Sequence, residues 1–153
     1  MTDDVPSRRP ECPRCGRPQA VCWCRDLPQL ATRTNVVFLQ HRREAACKVG
    51  TARMASLCLP GSHVFVGMTF DDDPWVREVL SDPARPPVLL FPGPDAPDIL
   101  LHPPAGPVTL VVIDGTWSQA GKMVRESPLP QSLPRYAFTP PAGLLWDTPS
   151  KGA

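Results

Sequence analysis

The stretch "VTLVVI", residues 108–113, constrains the fold of this chain more than any other. Its side chains are almost all aliphatic, so a strand formed here needs cover on both faces, as strands in the middle of a parallel sheet have. Parallel strands cannot be joined by a tight turn and need long crossovers, usually helices. The stretch therefore predicts an α/β fold in which it forms a central strand.

Other apolar segments extend this prediction to a whole sheet. Those rich in β-branched and aromatic residues predict three more strands: residues 35–40, 63–67 and 87–91. Helices are predicted between and after the strands: residues 43–60, 72–80 and 118–124. Gly50 weakens the middle of the first helix, and Pro60 and Gly61 end it. The alternation predicts a mostly parallel sheet with flanking helices.

Charge is distributed unevenly, although the net charge is only +1. Residues 1–60 contain ten lysines and arginines against five acidic residues, whereas residues 61–153 contain six against ten. A basic N-terminal part permits contact with nucleic-acid phosphates without requiring it. The charged N-terminus and the lack of an apolar run of about 20 residues argue against an export signal and a membrane span. We therefore expect a cytoplasmic protein with no membrane partner.

Four of the six cysteines have the spacing C-x2-C-x6-C-x-C: Cys12, Cys15, Cys22 and Cys24. Two close pairs joined by a short loop can bring four thiolates to the zinc–sulfur distance of about 2.3 Å, and a reducing cytosol disfavours a disulfide. We expect a structural zinc site in residues 1–30, followed by an α/β domain in residues 31–153. Redox use of these thiols is the alternative. Cys47 and Cys58 are expected to be small core residues.

The carboxyl ends of the predicted strands form the candidate site, because parallel sheets bind ligands at that edge. Six residues there are expected to border one crevice: Gln40, His41, Phe91, Pro92, Asp114 and Thr116. Asp114 precedes a flexible glycine and can present its carboxylate to a ligand, or it could cap the next helix. Trp117 could stack on a base or adenine, or it could be a core residue.

The segment "LQHRREA" places His41 and Glu44 at a second strand end, where they could form a polar pair in the crevice or a solvated helix start. Four cations follow that suit phosphate contact or an ordinary solvated face: Arg42, Arg43, Lys48 and Arg53. Asp114-Gly115-Thr116 also fits the minimal motif of aspartyl-phosphate enzymes. No acidic magnesium site is evident after it, which disfavours that reading.

Five separated motifs together resemble the DTW-domain family of tRNA-uridine aminocarboxypropyltransferases. They are the four-cysteine pattern, "LQHRREA", "GTARMASLCLPGS", "LLFPG" and "VVIDGTWSQAGKM", in the family's order. The resemblance implies a SPOUT-like α/β fold. It also implies transfer of the 3-amino-3-carboxypropyl group of S-adenosylmethionine to N3 of a uridine in tRNA, which leaves methylthioadenosine.

The same resemblance implies roles for the residues of these motifs. Asp114 would accept or orient the N3 proton, with His41 and Glu44 as further catalytic candidates. The donor would be bound by residues at the ends of two strands: Phe91, Pro92, Gly115, Thr116 and Trp117. The zinc segment and the four cations of residues 42–53 would face the tRNA. No protein partner is evident.

The chain departs from the family pattern in three places. It has His41-Arg42-Arg43-Glu44 where members have His-Pro-x-Glu, and Gly50-Thr51 where members have Asn-Thr. It stops at "LLWDTPSKGA", before a segment with a Ser-Thr-x-Glu-Ala motif, and in SPOUT-like relatives the C-terminal part completes the donor pocket. We therefore expect a C-terminally truncated member. The alternative function is a non-catalytic, zinc-bearing RNA-binding module.

Overall fold

Five parallel strands form one sheet in the computed structural model, which describes residues 9–47 and 50–141. In chain order the strands are β1 (Asn35–His41), β2 (His63–Gly67), β3 (Pro87–Leu90), β4 (Thr109–Asp114) and β5 (Arg135–Tyr136). Their order across the sheet is β2-β1-β4-β3-β5. Each neighbouring pair is parallel, which confirms the predicted α/β class.

Helices connect the strands: α1 (Arg42–Ala45), α2 (Thr51–Cys58), α3 (Pro74–Leu80), α4 (Trp117–Glu126) and α5 (Pro128–Ser132). Local sequence explains two of the helix starts, because the first N–H groups of a helix need acceptors outside it. The Asp73 carboxylate accepts hydrogen bonds from the backbone N–H groups of Trp75 and Val76 at the start of α3. Thr116 and Gln119 form a capping box at the start of α4.

The direction of strand addition reverses between β1 and β4, and this reversal positions the candidate site. From β1 the chain continues outward to β2, whereas from β4 it continues past β3 to β5 on the other side. Open α/β sheets bind ligands at such a reversal, at the carboxyl ends of the strands, which here are the ends of β1 and β4. Gln40 at the end of β1 is in register with Asp114 at the end of β4.

One face of the sheet carries the hydrophobic core. Its buried side chains come from the three central strands and from α3 and α4: Val37, Leu39, Leu89, Val111, Val76, Leu80, Met123 and Val124. Successive residues of a strand point to opposite faces, so the residues between these face the other side. That side is less completely covered, since Val64 and Val66 of the edge strand β2 are exposed.

The prediction of one helix over residues 43–60 is wrong. The segment contains two helices, α1 and α2, and Gly50 before α2 is extended, with φ −62° and ψ 128°. Glycine has a low helix propensity, which favours a break at this point. The expectation that Cys47 is a core residue is also wrong, because Cys47 is exposed. Cys58, at the end of α2, is half-buried.

The other predicted elements are confirmed, with ends that differ by at most two residues. The sequence predicts neither α5 nor β5. The first is a short proline-containing turn of helix and the second has two residues, so neither is long enough to show a periodic pattern. Within the described ranges, no helix has both the length and the apolar character to span a membrane.

Candidate active site and metal centre

The sulfur atoms of Cys12, Cys15, Cys22 and Cys24 lie within 4.8 Å of one another. The Sγ atoms of Cys12 and Cys24 are 3.8 Å apart, as are those of Cys15 and Cys22. Four thiolates placed tetrahedrally at about 2.3 Å from zinc would be about 3.8 Å apart, so the arrangement fits this ion. Four protein ligands leave no open position for a substrate, and a metal bound here would therefore be structural.

Backbone hydrogen bonds and burial shift the pKa values of the cysteines in this cluster. The pKa of the Cys12 thiol is lowered to about 6, because the backbone N–H groups of Cys15 and Arg14 donate to its sulfur. Burial and the neighbouring sulfurs raise the pKa of Cys24 to about 12. The crowded thiols therefore do not all ionise by themselves, and a metal ion that binds them must displace protons.

The cysteine segment packs against α2. Gly16 has φ 72°, a conformation that favours glycine because other side chains are strained in it. The guanidinium of Arg53 in α2 lies beside Gly16 and donates to the carbonyl oxygen of Arg14 at 3.4 Å. The backbone N–H of Leu30 donates to the carbonyl oxygen of Cys58 at 2.8 Å. The cysteine cluster is therefore connected to α2.

Asp114 ends β4 at the edge of the sheet, beside Gln40 of β1. The side-chain amide of Gln40 donates to Oδ2 of Asp114 at 2.7 Å, and Gln40 itself is buried. No described residue donates to Oδ1, so this oxygen is available to a ligand. The alternative that Asp114 caps α4 is wrong, because Thr116 occupies the capping position.

A cavity of about 350 Å³ lies between Gln40 and the helices α1 and α2. Its wall contains the oppositely charged Glu44 and Arg53, together with apolar residues of β2. Gln40 is shared between this cavity and the Asp114 carboxylate. The cavity wall therefore carries one carboxylate and one guanidinium, and Gln40 connects the cavity to the Asp114 carboxylate.

Phe91 and Trp117 come together from the ends of β3 and β4. Their ring centroids are 6.5 Å apart and the rings are tilted by 58°. The guanidinium carbon of Arg135 in β5 lies 5.7 Å from the Phe91 centroid. Trp117 is 77% exposed, so the alternative of a core indole is wrong. An exposed indole beside a second ring can stack on a nucleobase or adenine.

The turn after β4 is tightly packed. A Cβ atom on Gly115 would lie 3.2 Å from the side chain of Gln119 and 3.5 Å from that of His41, so there is little room for any other residue. The Thr116 hydroxyl accepts a hydrogen bond from the backbone N–H of Gln119 and is engaged in the helix cap. Pro92, which follows Phe91, is exposed.

His41 and Glu44 line different cavities. His41 is 6% exposed, its Nδ1 accepts a hydrogen bond from the backbone N–H of Arg43, and it lines a cavity together with Arg42 and Arg43. Glu44 lines the cavity beside Gln40 instead. The two residues therefore do not form a pair in one crevice and are candidates for separate roles.

No sequence pattern predicts that two cations, Lys122 and Arg135, lie near the carboxyl edge of the sheet. Lys122 lines the His41 cavity, because α4 packs over the end of β1. Arg135 lies on a strand of two residues. Neither is adjacent to a predicted strand end in the sequence, so only the tertiary arrangement reveals them. Lys48, which is predicted to contact RNA, lies outside the described residues.

A known protein family matches the part of the chain that contains both the cysteine cluster and Asp114. A family model described as the DTW domain matches residues 9–146. The tRNA-uridine aminocarboxypropyltransferase 2 of Drosophila melanogaster is 39% identical over 136 residues, which are 84% of this chain and 53% of that protein. The protein of the same name from Macaca fascicularis is 38% identical over 122 residues, 74% of this chain and 40% of that protein.

A plant relative is more distant. The tRNA-uridine aminocarboxypropyltransferase A of Arabidopsis thaliana is 28% identical over 148 residues, which are 81% of this chain and 53% of that protein. The chain thus spans about half the length of the curated relatives it matches. No solved structure gives a significant match.

Proposed function

This chain belongs to the DTW domain family, and from this membership we propose its function. It transfers the 3-amino-3-carboxypropyl group of S-adenosylmethionine to N3 of a uridine in tRNA. One observation carries the proposal: the Asp114 carboxylate is held at the switch point of the sheet by Gln40. The match to the family covers residues 9–146, which include Asp114 and Gln40.

Asp114 acts as the base. Uridine N3–H is a weak acid, and a carboxylate hydrogen-bonded to it can take up its proton as N3 attacks. A bond forms between N3 and the methylene carbon attached to sulfur, and the bond from that carbon to sulfur breaks. The electron pair stays on sulfur, so the sulfonium becomes the neutral thioether of methylthioadenosine. Gln40 orients Asp114 through Oδ2 and leaves Oδ1 for the proton.

The adenosine part of the donor is bound at the aromatic pair. Trp117 supplies exposed ring surface, and the half-buried Phe91 lies beside it at the adjacent strand end, which suits stacking of adenine on the indole. Pro92 and Gly115 belong to the turns that carry these rings. The hydroxyl of Thr116 is used in the cap of α4, so its role is to hold this turn.

The amino-acid part of the donor is bound in the cavity beside Gln40, which we call the donor cavity. Glu44 and Arg53 line it, and their opposite charges match an ammonium and a carboxylate. The Asp114 carboxylate next to this cavity also stabilises the positive charge of the sulfonium. Arg53, predicted from the sequence to contact RNA, is thus assigned to the donor.

The four cysteines hold zinc and serve the structure. The sulfur spacing fits a tetrahedral ion, and the segment contacts α2 through Arg53. When bound, the metal would act as a cross-link that orders residues 9–30 against α2. The cluster would therefore hold residues 9–30 against α2, whose Arg53 lines the cavity beside Gln40.

Asp114→Asn tests the assignment of the base. The amide keeps an oxygen that can accept from Gln40 but cannot take up a proton, so transfer should fall by about 10²–10⁴-fold. Donor labelled in the aminocarboxypropyl group is incubated with unmodified tRNA, and nucleosides are then analysed. Asp72→Asn is the matched control, because the Asp72 side chain is fully exposed and lines neither of the two cavities.

The outcomes separate the parts of the proposal. A normal transfer rate in Asp114→Asn would refute the role of Asp114 as base. Absence of label on uridine with the unchanged chain would refute the transferase activity itself. Label on uridine that Asp114→Asn abolishes and Asp72→Asn preserves would establish both.

A non-catalytic RNA-binding module is the second candidate. The guanidinium of Arg17 stacks on Trp23 at 3.7 Å from the ring centroid, in a segment that also carries Arg14 and Arg25. Cations beside an aromatic ring suit single-stranded nucleic acid without any chemistry. Calorimetry that shows no donor binding while tRNA still shifts on a gel would favour this function.

A further inference from the structure

We propose that the cavity formed by His41, Arg42, Arg43 and Lys122 binds a backbone phosphate of the RNA substrate. The cavity lies at the ends of β1 and β2, against the first turns of α4, and has a volume of about 340 Å³. The inference rests on the proposed function, because it takes the RNA to be the anion that reaches this edge of the sheet.

The cavity lies on the other side of the sheet edge from the donor cavity. Gln40 is in register with Asp114, and the next residue, His41, points to the opposite face because strand side chains alternate. The lining residues reflect this division. Gln40 and Glu44 line the donor cavity, whereas His41 and Lys122 line this one.

The wall of the cavity is positive. Three of its side chains are permanent or near-permanent cations, Arg42, Arg43 and Lys122, and no carboxylate is among the described lining residues. Lys122 lies 3.9 Å from Glu126, but both side chains are more than half exposed, and such a pair contributes little. An anion can therefore replace this contact at small cost.

His41 adds a hydrogen-bond donor, the N–H of its imidazole ring, to these charges. Its Nδ1 accepts a hydrogen bond from the backbone N–H of Arg43, so the neutral ring carries its proton on Nε2. His41 is 94% buried, with 6% exposure, and no described residue accepts from Nε2. Among the described residues, Thr109 Oγ1 is the only fully buried side-chain nitrogen or oxygen atom without a partner. Nε2 of His41 is therefore accessible to solvent, and a phosphate oxygen in the cavity that His41 lines can accept its hydrogen bond.

Gln119 can contribute in the same way. Its Oε1 accepts from the backbone N–H of Thr116, which leaves the side-chain amide nitrogen as a donor at the cavity wall. Arginine, lysine, imidazole and amide donors that converge on one site are the groups that bind phosphate oxygens in proteins.

The chemistry of the two substrates decides which one binds here. S-adenosylmethionine has no phosphate and carries a sulfonium cation, so a wall of three cations repels it. Every nucleotide of RNA carries a phosphodiester anion. A phosphate fixed at this cavity would leave the attached nucleotide free to cross the sheet edge toward Asp114, and the pocket would position the uridine rather than take part in the reaction.

The test compares two variants of α4 that remove the same charge. Lys122→Gln removes a cation from the cavity, whereas Arg125→Gln removes an exposed cation of the same helix that does not line it. Binding of unmodified tRNA is measured over a series of salt concentrations, and donor binding is measured by calorimetry without RNA.

Lys122→Gln should weaken tRNA binding about threefold to tenfold and reduce the slope of log affinity against log salt by about 0.7–1, the value for one lost phosphate contact. Arg125→Gln should behave like the unchanged chain, and donor binding should be equal in all three proteins. Equal tRNA affinities and salt slopes for the two variants would overturn the proposal.

A second measurement needs no RNA. Inorganic phosphate is titrated while the imidazole resonances of His41 are followed by NMR. A saturable shift in the unchanged chain and in Arg125→Gln, weakened in Lys122→Gln, supports the cavity as a phosphate site. Absence of any saturable shift overturns it.

Failure of the two proposals can be told apart. If label appears on uridine but the two variants bind tRNA equally, the phosphate site falls and the transferase function stands. If no label appears but Lys122→Gln alone loses tRNA affinity, the transferase function falls and the phosphate site stands as part of an RNA-binding surface.

Discussion

Residues 9–30 and the parallel sheet belong to one chain but depend on different interactions. No described side chain of residues 9–30 is buried. The regular structure described there is one turn of 3-10 helix, Gln19–Val21, and one antiparallel β-bridge between Glu11 and Pro18. In the sheet, Val37, Leu39 and Leu89 are completely removed from solvent. Side-chain burial can therefore account for the stability of the sheet but not for that of the cysteine segment.

The contrast shows what each region requires. Burial of one aliphatic side chain contributes about 1.5–3 kcal/mol, so a core of several such residues stabilises the sheet by itself. A short segment without a core needs a cross-link, and structural zinc contributes about 10–16 kcal/mol in small peptides at neutral pH. The two regions should therefore respond to different perturbations.

The largest effect is expected from Cys24→Ser, and it should fall on the cysteine segment while the sheet stays folded. Loss of one of four ligands weakens metal binding and leaves residues 9–30 without core or cross-link. Metal analysis should show loss of zinc, and limited proteolysis should cut within residues 9–30 while the sheet still melts cooperatively. Cys47→Ser, an exposed cysteine outside the cluster, is the control. Retained zinc and unchanged protease resistance in Cys24→Ser would contradict this division.

An intermediate effect is expected from Leu89→Ala in β3. Truncation of this fully buried side chain should lower the free energy of unfolding by about 2–5 kcal/mol, as measured by urea denaturation. The zinc content of the folded protein should not change. Leu101→Ala, at a side chain 75% exposed, should cost less than about 0.5 kcal/mol. Loss of zinc from folded Leu89→Ala would show that the two regions are one cooperative unit.

The smallest effect is expected from Asp98→Asn near the outer edge of the sheet. The pKa of Asp98 is lowered because the backbone N–H groups of Leu100 and Thr139 donate to it. A carboxyl group with a lowered folded-state pKa stabilises the protein above its ordinary pKa of about 4 and loses this contribution as the pH falls. The melting temperature of Asp98→Asn should therefore be slightly below that of the unchanged chain at pH 7.

The difference caused by Asp98→Asn should shrink as the pH is lowered below about 4, because both chains then carry a neutral group. Asp95→Asn, at an exposed carboxylate of the same loop, should leave the melting temperature unchanged across this range. A difference for Asp98→Asn that stayed constant with pH would show that its carboxylate charge is not involved.

Some strands and helix ends can be predicted from the sequence and others cannot, for physical reasons. β4 was predictable because Val111 and its neighbours form a continuous apolar run, which is a local property of the sequence. β5 was not, because a strand of two residues has no period and exists only through its pairing with β3. The break before α2 lies at Gly50; the low helix propensity of glycine weakens a predicted helix but does not by itself mark where the helix ends.

The candidate site also has features that the local sequence predicts and features that only the fold decides. The sequence indicates that Asp114 lies at a strand end, but whether it caps α4 or faces a ligand depends on which residue takes the cap. Thr116 takes it, and Asp114 instead bonds to Gln40, 74 residues away in the chain. The exposure of Trp117 is also invisible in the sequence, since an indole is common both in cores and at binding surfaces.

The sequence alone determined the α/β class, the cysteine cluster and the family, because each depends on residues that are close together or on motifs in a set order. Tertiary structure decided which side chains share a cavity. His41 and Glu44 are three residues apart yet line different cavities, whereas His41 and Lys122 line the same one. The physical reason is that strand alternation and helix packing assign side chains to the faces of a sheet, and separation along the chain does not record that assignment.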